Sequence, residues 1–205
     1  IGALLSKTVY CIKIQYFVMS YAELHCLSNY SFLRGASHPS ELVEQASHLS
    51  YSALALTDEC SLAGVVKAHV VAKELDFKLI IGSEFTVSEG LKLIAIAPSR
   101  AAYGELSSLI SRSRRRSEKG HYITHLRDIY FHLKRCFIIW LPTQPDKERH
   151  HADILSRRSP GRFWIGVSQL LHHDDSNRLA TLQDVASDMG VSLLACGSVE
   201  MHSAN

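Results

Sequence analysis

The chain contains few cysteines, and they follow no metal-binding spacing. Five are scattered along the 205 residues, and no C-x-x-C pair occurs: Cys11, Cys26, Cys60, Cys136 and Cys196. An odd number of isolated cysteines argues against a disulfide framework and against a structural zinc site. We therefore expect free thiols, as in a protein of the reducing cytoplasm.

Long uncharged apolar runs and a strong charge imbalance are also missing. The opening segment is apolar, but Lys7 and Lys13 interrupt it and no small-residue cleavage site follows. No stretch approaches the roughly 18 apolar residues of a membrane span. The formal net charge is only +2, from 22 Lys and Arg against 20 Asp and Glu. A whole-surface nucleic-acid binder is thus excluded, and any basic site must be local.

The composition is that of one packed domain. Hydrophobic residues make up 46% and charged residues 20% of the chain, which is ordinary for a globular protein. We expect residues 1–18 to be a non-native or disordered leader, with the native sequence beginning at Met19 and one domain over residues 19–205.

Short β-rich runs alternate with helical patterns, which predicts an α/β fold with a mainly parallel sheet joined by right-handed crossovers. Seven strands are predicted, at 22–26, 52–57, 78–84, 92–97, 136–141, 162–167 and 191–196. Four helices are predicted, at 39–49, 62–75 with Ser61 as N-cap, 102–112, and 177–189 closed by Gly190. Segments 112–120 and 142–148 are predicted loops.

Polar side chains follow four of the predicted strands. His25 ends the first, Asp58 and Glu59 follow the second, and Glu84 ends the third. Glu200 and His202 come after the last. The carboxyl ends of barrel strands meet at one mouth, so these side chains are expected to lie close together.

Three stretches carry a family resemblance: ELHCLSNYSFLRGASHPSELVEQA, ALALTDECSLAGVVKAHVVAKE and KLIIGSEF. They resemble the opening of the N-terminal PHP (polymerase and histidinol phosphatase) domain of C-family, DnaE-type DNA polymerase alpha subunits, in the error-prone branch. The similarity continues to His202, through GRFWIGV and GSVEMH. It implies a distorted (β/α)7 barrel with seven helices. It also implies a full-length polymerase that acts in DNA replication and damage-tolerant repair.

The resemblance further implies a cluster of two or three metals at the strand ends, as in PHP phosphoesterases, where metals activate water for phosphate-ester or 3′-end hydrolysis. Of the ligands so implied, His25 and Glu84 are retained. At Glu59 and Glu200 a carboxylate replaces an imidazole. At Leu27, Arg34, Lys92 and Ser198 no ligand remains.

Two hypotheses follow for the mouth. In the first, Arg34 and Lys92 pair with the neighbouring glutamates in place of metal charge, and the domain is a non-catalytic scaffold that contacts the remaining polymerase modules. The alternative is a weakened metal-dependent phosphoesterase or 3′-end editor that uses His25, Glu59 and Glu84. No palm-type carboxylate cluster follows His202, so we do not expect DNA synthesis by this chain.

The resemblance leaves a vestigial ligand set: His25, Asp58, Glu59 and Glu84, with Glu200 and His202 as substitutes. We expect no tightly bound cofactor and at most one divalent cation, Zn²⁺, Mn²⁺ or Mg²⁺. For Asp58, a role in fixing its loop or capping a helix is an equal alternative.

One dense basic patch is present, formed by Arg112, Arg114, Arg115, Arg116 and Lys119. Weak contact with the DNA phosphate backbone is one interpretation, and a solvated loop is the other.

Overall fold

The structure is a computed structural model that describes residues 21–203, so the expected leader lies outside the described residues. All seven predicted strands are present. They are β1 Ala22–Cys26, β2 Ala53–Leu56, β3 Leu79–Thr86, β4 Lys92–Ile96, β5 Phe137–Trp140, β6 Phe163–Val167 and β7 Leu193–Ala195. Six helices lie among the described residues: α1 Pro39–His48, α2 Val65–Glu74, α3 Arg100–Arg115, α4 Leu126–His132, α5 Pro145–Arg158 and α6 Asp175–Met189.

The strands form one sheet in chain order, β1 to β7, that curls into a nearly closed barrel. The seam between β7 and β1 is bridged just beyond the strand ends. There Leu27 N donates to Val199 O at 2.8 Å, and Val199 N donates to His25 O at 2.9 Å. The expected α/β barrel is thereby confirmed.

The expectation of parallel pairing was wrong for β4, which runs antiparallel to both β3 and β5. Only residues 87–91 connect β3 to β4, and a parallel crossover needs a dozen or more. The connection is instead a tight turn, in which Val87 N donates to Leu91 O at 2.8 Å. Gly90 takes the left-handed conformation there, with φ of +94°.

Two of the helices were missed, and one predicted loop was wrong. Segment 142–148 was predicted to be a loop, but it contains the start of α5. Pro145 occupies the first turn of this helix, a position where proline is favoured. Glu148 stabilises this start by accepting hydrogen bonds from Gln144 N at 2.6 Å and from Trp140 Nε1 at 2.8 Å. Helix α4 begins at the capping box of His125 and Asp128.

The predicted helix boundaries also shift, by one to three residues. Helix α3 continues to Arg115, so the first four of the nine residues of the predicted loop 112–120 are helical. Helix α2 begins at Val65 with Gly64 as N-cap, rather than at 62 with Ser61. The Ser61 hydroxyl instead accepts a bond from Ala63 N at 3.2 Å.

The helices cover the barrel with an apolar layer. In α3, Ala102, Leu106 and Leu109 recur at helical spacing and are fully buried in the same cluster as Trp140. A smaller apolar cluster that includes Ile94 and Ile139 packs separately from that layer. No helix among residues 21–203 is long and apolar enough to cross a membrane.

The four described cysteines are free and buried. Burial raises the pKa of Cys60, Cys136 and Cys196 to about 12, which keeps these thiols protonated. They act as small apolar residues of the core.

Candidate site at the barrel mouth

The mouth lies at the end of the barrel where β1, β2 and β3 finish. His25 is the fourth residue of β1, Glu84 lies near the end of β3, and Asp58 and Glu59 follow β2. Because β4 runs in the opposite direction, its first residue, Lys92, lies opposite Thr86 at this same end. The antiparallel strand therefore adds a cation that a parallel strand would have placed at the far end.

Glu84 is at the centre of the mouth and has no solvent exposure. Its carboxylate bonds to His25 Nε2 at 2.7 Å. It also accepts from two nitrogens of Arg34, at 2.5 and 3.2 Å, and lies 3.1 Å from Lys92 Nζ. Both oxygens of the buried carboxylate are thus bound to side-chain nitrogens.

These contacts decide the charge of Glu84. Burial alone would raise its pKa, but the hydrogen bonds from His25 and Arg34, with the charge of Lys92, outweigh burial and lower the pKa to about 2. The carboxylate is therefore ionised at neutral pH, and its charge is balanced within the protein.

Glu59 is bound from two sides. Its carboxylate accepts from Arg34 at 2.9 Å and from the Tyr122 hydroxyl at 2.8 Å. Burial, with the nearby Glu59 carboxylate, raises the pKa of Tyr122, so the phenol stays protonated and donates. Arg114 donates to the backbone carbonyls of Glu59 and Cys60, each at 3.2 Å, and lies over the Tyr122 ring. The β2–α2 loop is thereby fixed to the end of α3.

Asp58 is buried and fixes the loop after β1. Its two oxygens accept from Ser28 N at 2.8 Å and from the hydroxyls of Ser28 and Ser31, each at 2.7 Å. The residue does not cap α2, whose N-cap is Gly64. These contacts hold the β1–α1 loop rather than the loop that contains Asp58.

The two residues after β7 are less engaged with the mouth. Glu200 is partly exposed, and its nearest charge partner is Arg34 at 3.9 Å, a distance typical of weak surface pairs. His202 contacts the Ser37 hydroxyl at 2.7 Å and lies 3.8 Å from Glu41, on the side of α1. The structure thus brings Glu200 near Arg34 and places His202 beside α1, away from the carboxylates of the mouth.

The donors present do not fit a multi-metal cluster. No group of three His, Cys, Asp or Glu side chains in residues 21–203 is arranged to hold a metal ion. Asp58 uses its oxygens on serines, Glu84 uses its oxygens on nitrogens, and Arg34 and Lys92 bring positive charge to the carboxylates. Cations so close to the ligands oppose the binding of further cations.

The residues of the basic patch fall into two groups, those with partners inside the domain and those without. Arg116 makes a bidentate pair with Asp128 of α4. Burial would raise the pKa of Asp128, but this pair lowers it. Arg114 is engaged at the mouth, as described above. Arg112, Arg115 and Lys119 are exposed and form no ion pair with any other residue of the described range.

The sequence did not indicate four residues that hold the mouth together. Ser28, Ser31 and Tyr122 bind the carboxylates of Asp58 and Glu59. Glu23 is buried and closes the seam by accepting from His25 N at 2.7 Å and Gly197 N at 2.8 Å. Only Glu23 carried a usable signal, as an acidic residue in the same strand as His25.

Comparison with protein families assigns residues 23–157 to the PHP domain. The chain is 50% identical over 191 residues to the error-prone DNA polymerase of Saccharophagus degradans. This match spans 91% of this chain and 18% of that protein. It is 52% identical over 184 residues to that of Methylococcus capsulatus, covering 89% and 17%. The matched part lies in the N-terminal region of such relatives.

Solved structures share the fold. One is a protein from Bifidobacterium adolescentis assigned as a metal-dependent phosphoesterase, with a TM-score of 0.66, 16% identity and coverage of 90% of this chain and 88% of that one. Another is an amidohydrolase from Chromobacterium violaceum, with a TM-score of 0.64, 17% identity and coverage of 89% and 88%. The family match covers more than half of the chain, and the chain therefore belongs to the PHP domain family.

Proposed function

We propose that this chain is a non-catalytic PHP module of an error-prone DNA polymerase, in which ion pairs at the mouth take the place of a metal cluster. The observation that supports this most is the environment of Glu84. A carboxylate at an expected ligand position is bound to Arg34, Lys92 and His25, so that its charge is already balanced.

A metal-dependent hydrolase at this mouth would need several donors free to bind cations and to polarise water. Asp58 and Glu84 are saturated by their own chain, and Arg34 lies between Glu59 and Glu84. If Glu59 and Glu84 left their partners to bind metal ions, Arg34 and Lys92 would remain beside those ions as unpaired positive charges. On this proposal the family's hydrolytic chemistry has no role here, and the barrel serves as a rigid support for the rest of the polymerase.

Hydrolysis assays test the proposal. The chain is assayed for phosphatase and 3′-exonuclease activity with added Mn²⁺ or Zn²⁺, beside His25→Ala and Glu84→Ala, with folding of each variant checked by circular dichroism. We expect no turnover above that of the variants. Turnover that both substitutions abolish would support the alternative, a weakened phosphoesterase or 3′-end editor.

We also propose a weak contact with DNA, without sequence preference, through Arg112, Arg115 and Lys119. These three cations are exposed and have no internal partner among the described residues, unlike Arg114 and Arg116. Free Lys and Arg side chains bind phosphates by releasing condensed counterions. The small net charge of the chain is consistent with an auxiliary contact only.

A further inference from the structure

A groove opens on the α3–α4 side of the mouth, between the β1–α1 loop and the segment that follows α3. Its volume of about 520 Å³ falls within the range of roughly 300–1,000 Å³ that is typical of small-molecule sites. Three aromatic residues line it, Tyr30, Phe32 and Tyr122, together with Arg114 and His121. We call it the aromatic groove.

Phe32 is the most exposed aromatic side chain of this groove. It is 84% exposed, whereas Tyr30 is 36% exposed. The next residue, Leu33, has φ of +63°, in the left-handed region that disfavours leucine. Backbone strain of this kind is found most often at binding and catalytic sites. The loop thus combines a strained backbone with a large ring that the core of this domain does not use.

Both walls of the groove are held in place by polar contacts. On the side of the β1–α1 loop, the Ser31 hydroxyl donates to Asp58 at 2.7 Å. On the other side, the Tyr122 hydroxyl donates to Glu59 at 2.8 Å. The guanidinium of Arg114 lies over the Tyr122 ring, 5.2 Å from its centre. A groove with fixed walls loses little conformational entropy when a ligand enters it.

Exposed cations lie beside the groove at two places. Lys67 lies over the Tyr30 ring, 5.6 Å from its centre. At the second place, His121 lines both the aromatic groove and a second groove that contains Arg115, so the two grooves are continuous. Lys119 is exposed two residues before His121. This arrangement favours a ligand that carries negative charge on both sides of a flat ring.

We propose that the aromatic groove receives an unpaired base of single-stranded DNA, which stacks on Phe32 while the neighbouring phosphates contact Lys67 and Arg115. This inference rests on the proposed weak contact with DNA and deepens it. It adds a base site to the phosphate contacts of Arg112, Arg115 and Lys119. Every base has a face that can stack on an aromatic ring, so the site needs no sequence preference.

Two carboxylates near the groove limit its affinity for phosphates. Glu59 lines the groove, but Arg34 binds it at 2.9 Å, so its charge is balanced within the domain. Glu118 lines the second groove and is exposed, and its charge opposes that of Arg115. Binding should therefore be weak, and stacking should supply a large share of it.

Single-stranded DNA fits the groove better than duplex DNA or a protein does. A duplex keeps its bases stacked and paired, and extruding one costs a few kcal/mol. An aromatic side chain of a protein offers a ring without the phosphates that the exposed cations would bind.

Binding of two matched strands to the 205-residue chain tests the inference. Fluorescence anisotropy at low salt compares an oligodeoxythymidylate with an abasic deoxyribose-phosphate strand of the same length. We expect tighter binding of the thymidylate, and a loss of about fivefold to tenfold in its affinity for Phe32→Ala. Phe32→Tyr should keep the wild-type affinity, because its ring can still stack. Affinity for the abasic strand should be equal in all three proteins.

Phe131→Ala is the matched control, because Phe131 is an exposed phenylalanine of α4 that does not line the groove. It should leave both affinities unchanged, and Phe32→Ala should leave Tm unchanged because its ring is exposed.

Three outcomes would overturn the inference. They are equal binding of the two strands, unchanged thymidylate binding by Phe32→Ala, and competition by thymidine monophosphate at the concentration of the oligonucleotide, which would assign the groove to free nucleotides. If the strands bind equally and neutralising Arg112, Arg115 and Lys119 weakens both, the phosphate contact stands and only the base site fails. Metal content and hydrolysis do not enter these measurements, so they leave the scaffold proposal to its own test.

Discussion

The guanidinium of Arg34 lies 2.5 Å from a carboxylate oxygen of Glu84, a side chain that is fully buried. The resemblance implies an acidic residue at the position of Arg34 and a metal ligand at Glu84. The pair joins the β1–α1 loop to β3 by an ion pair. The resemblance implies metal ions at this place in the family's hydrolases.

Glu84→Gln should destabilise the chain by about 3 kcal/mol, because Arg34 and Lys92 would lose the charge that balances them. This is the low end of the range for breaking a buried pair, since both cations remain about a quarter exposed. Chemical denaturation measures the change. Glu74→Gln, at an exposed position of α2, is the control and should change the free energy of unfolding by less than about 0.5 kcal/mol.

The stability contributed by Glu84 should depend on pH. Its pKa is lowered from 4.5 to about 2 in the folded chain, so the unfolded state binds the proton more readily. The contribution is complete above pH 4.5 and is lost as the pH falls through about 2. The stability difference between wild type and Glu84→Gln should therefore shrink over this window. A difference that stays constant from pH 5 to 2 would contradict the assignment of this pKa to Glu84.

Gly197→Ala should destabilise the seam by about 1–3 kcal/mol, because there is no room for a side chain. A Cβ there would lie 2.1 Å from Glu23 Oε2, and Tyr21, His25 and Gly197 itself hold that carboxylate in place. Gly104→Ala is the matched control. It lies in α3 with nothing within 4 Å of an added Cβ, and should stabilise the chain by about 0.5–1 kcal/mol. Equal effects of the two substitutions on Tm would refute the steric account of the seam.

Neutralising Arg112, Arg115 and Lys119 together should weaken binding to single-stranded DNA at low salt without changing Tm. Three lost phosphate contacts should reduce the slope of log affinity against log salt by about 2. Arg114→Ala should instead lower Tm, because it removes the bonds to the Glu59 and Cys60 carbonyls. Fluorescence anisotropy over a salt series measures binding. Unchanged affinity of the triple variant would show that these three residues do not contribute to DNA binding.

Much of the fold could be predicted because it depends on local signals. Alternating apolar runs marked the seven strands, and Gly190 marked the end of α6. The antiparallel β4 was predictable in principle, since the short connection 87–91 excludes a crossover. Helix α5 was obscured by Pro145, which suggests a loop when it is read alone and a helix start when Glu148 is considered with it.

The mouth was only partly predictable. The sequence placed His25, Asp58 and Glu84 at neighbouring strand ends, because strand ends converge in any barrel. It could not show that Asp58 would bind serines or that Tyr122 would bind Glu59, 63 positions away. Such contacts depend on how loops fold over the mouth, and no local pattern encodes them. The contacts of Arg114 could not be predicted for the same reason, since its partners, Glu59 and Cys60, lie in another loop.

The most direct test of the central claim is the metal content of the chain, measured by elemental analysis after purification without chelator. The account predicts at most one divalent ion per chain, removed by dialysis against chelator without a change in Tm, because Arg34 and Lys92 already balance Glu84. Two or more tightly held ions per chain, with a Tm that falls when they are removed, would contradict it.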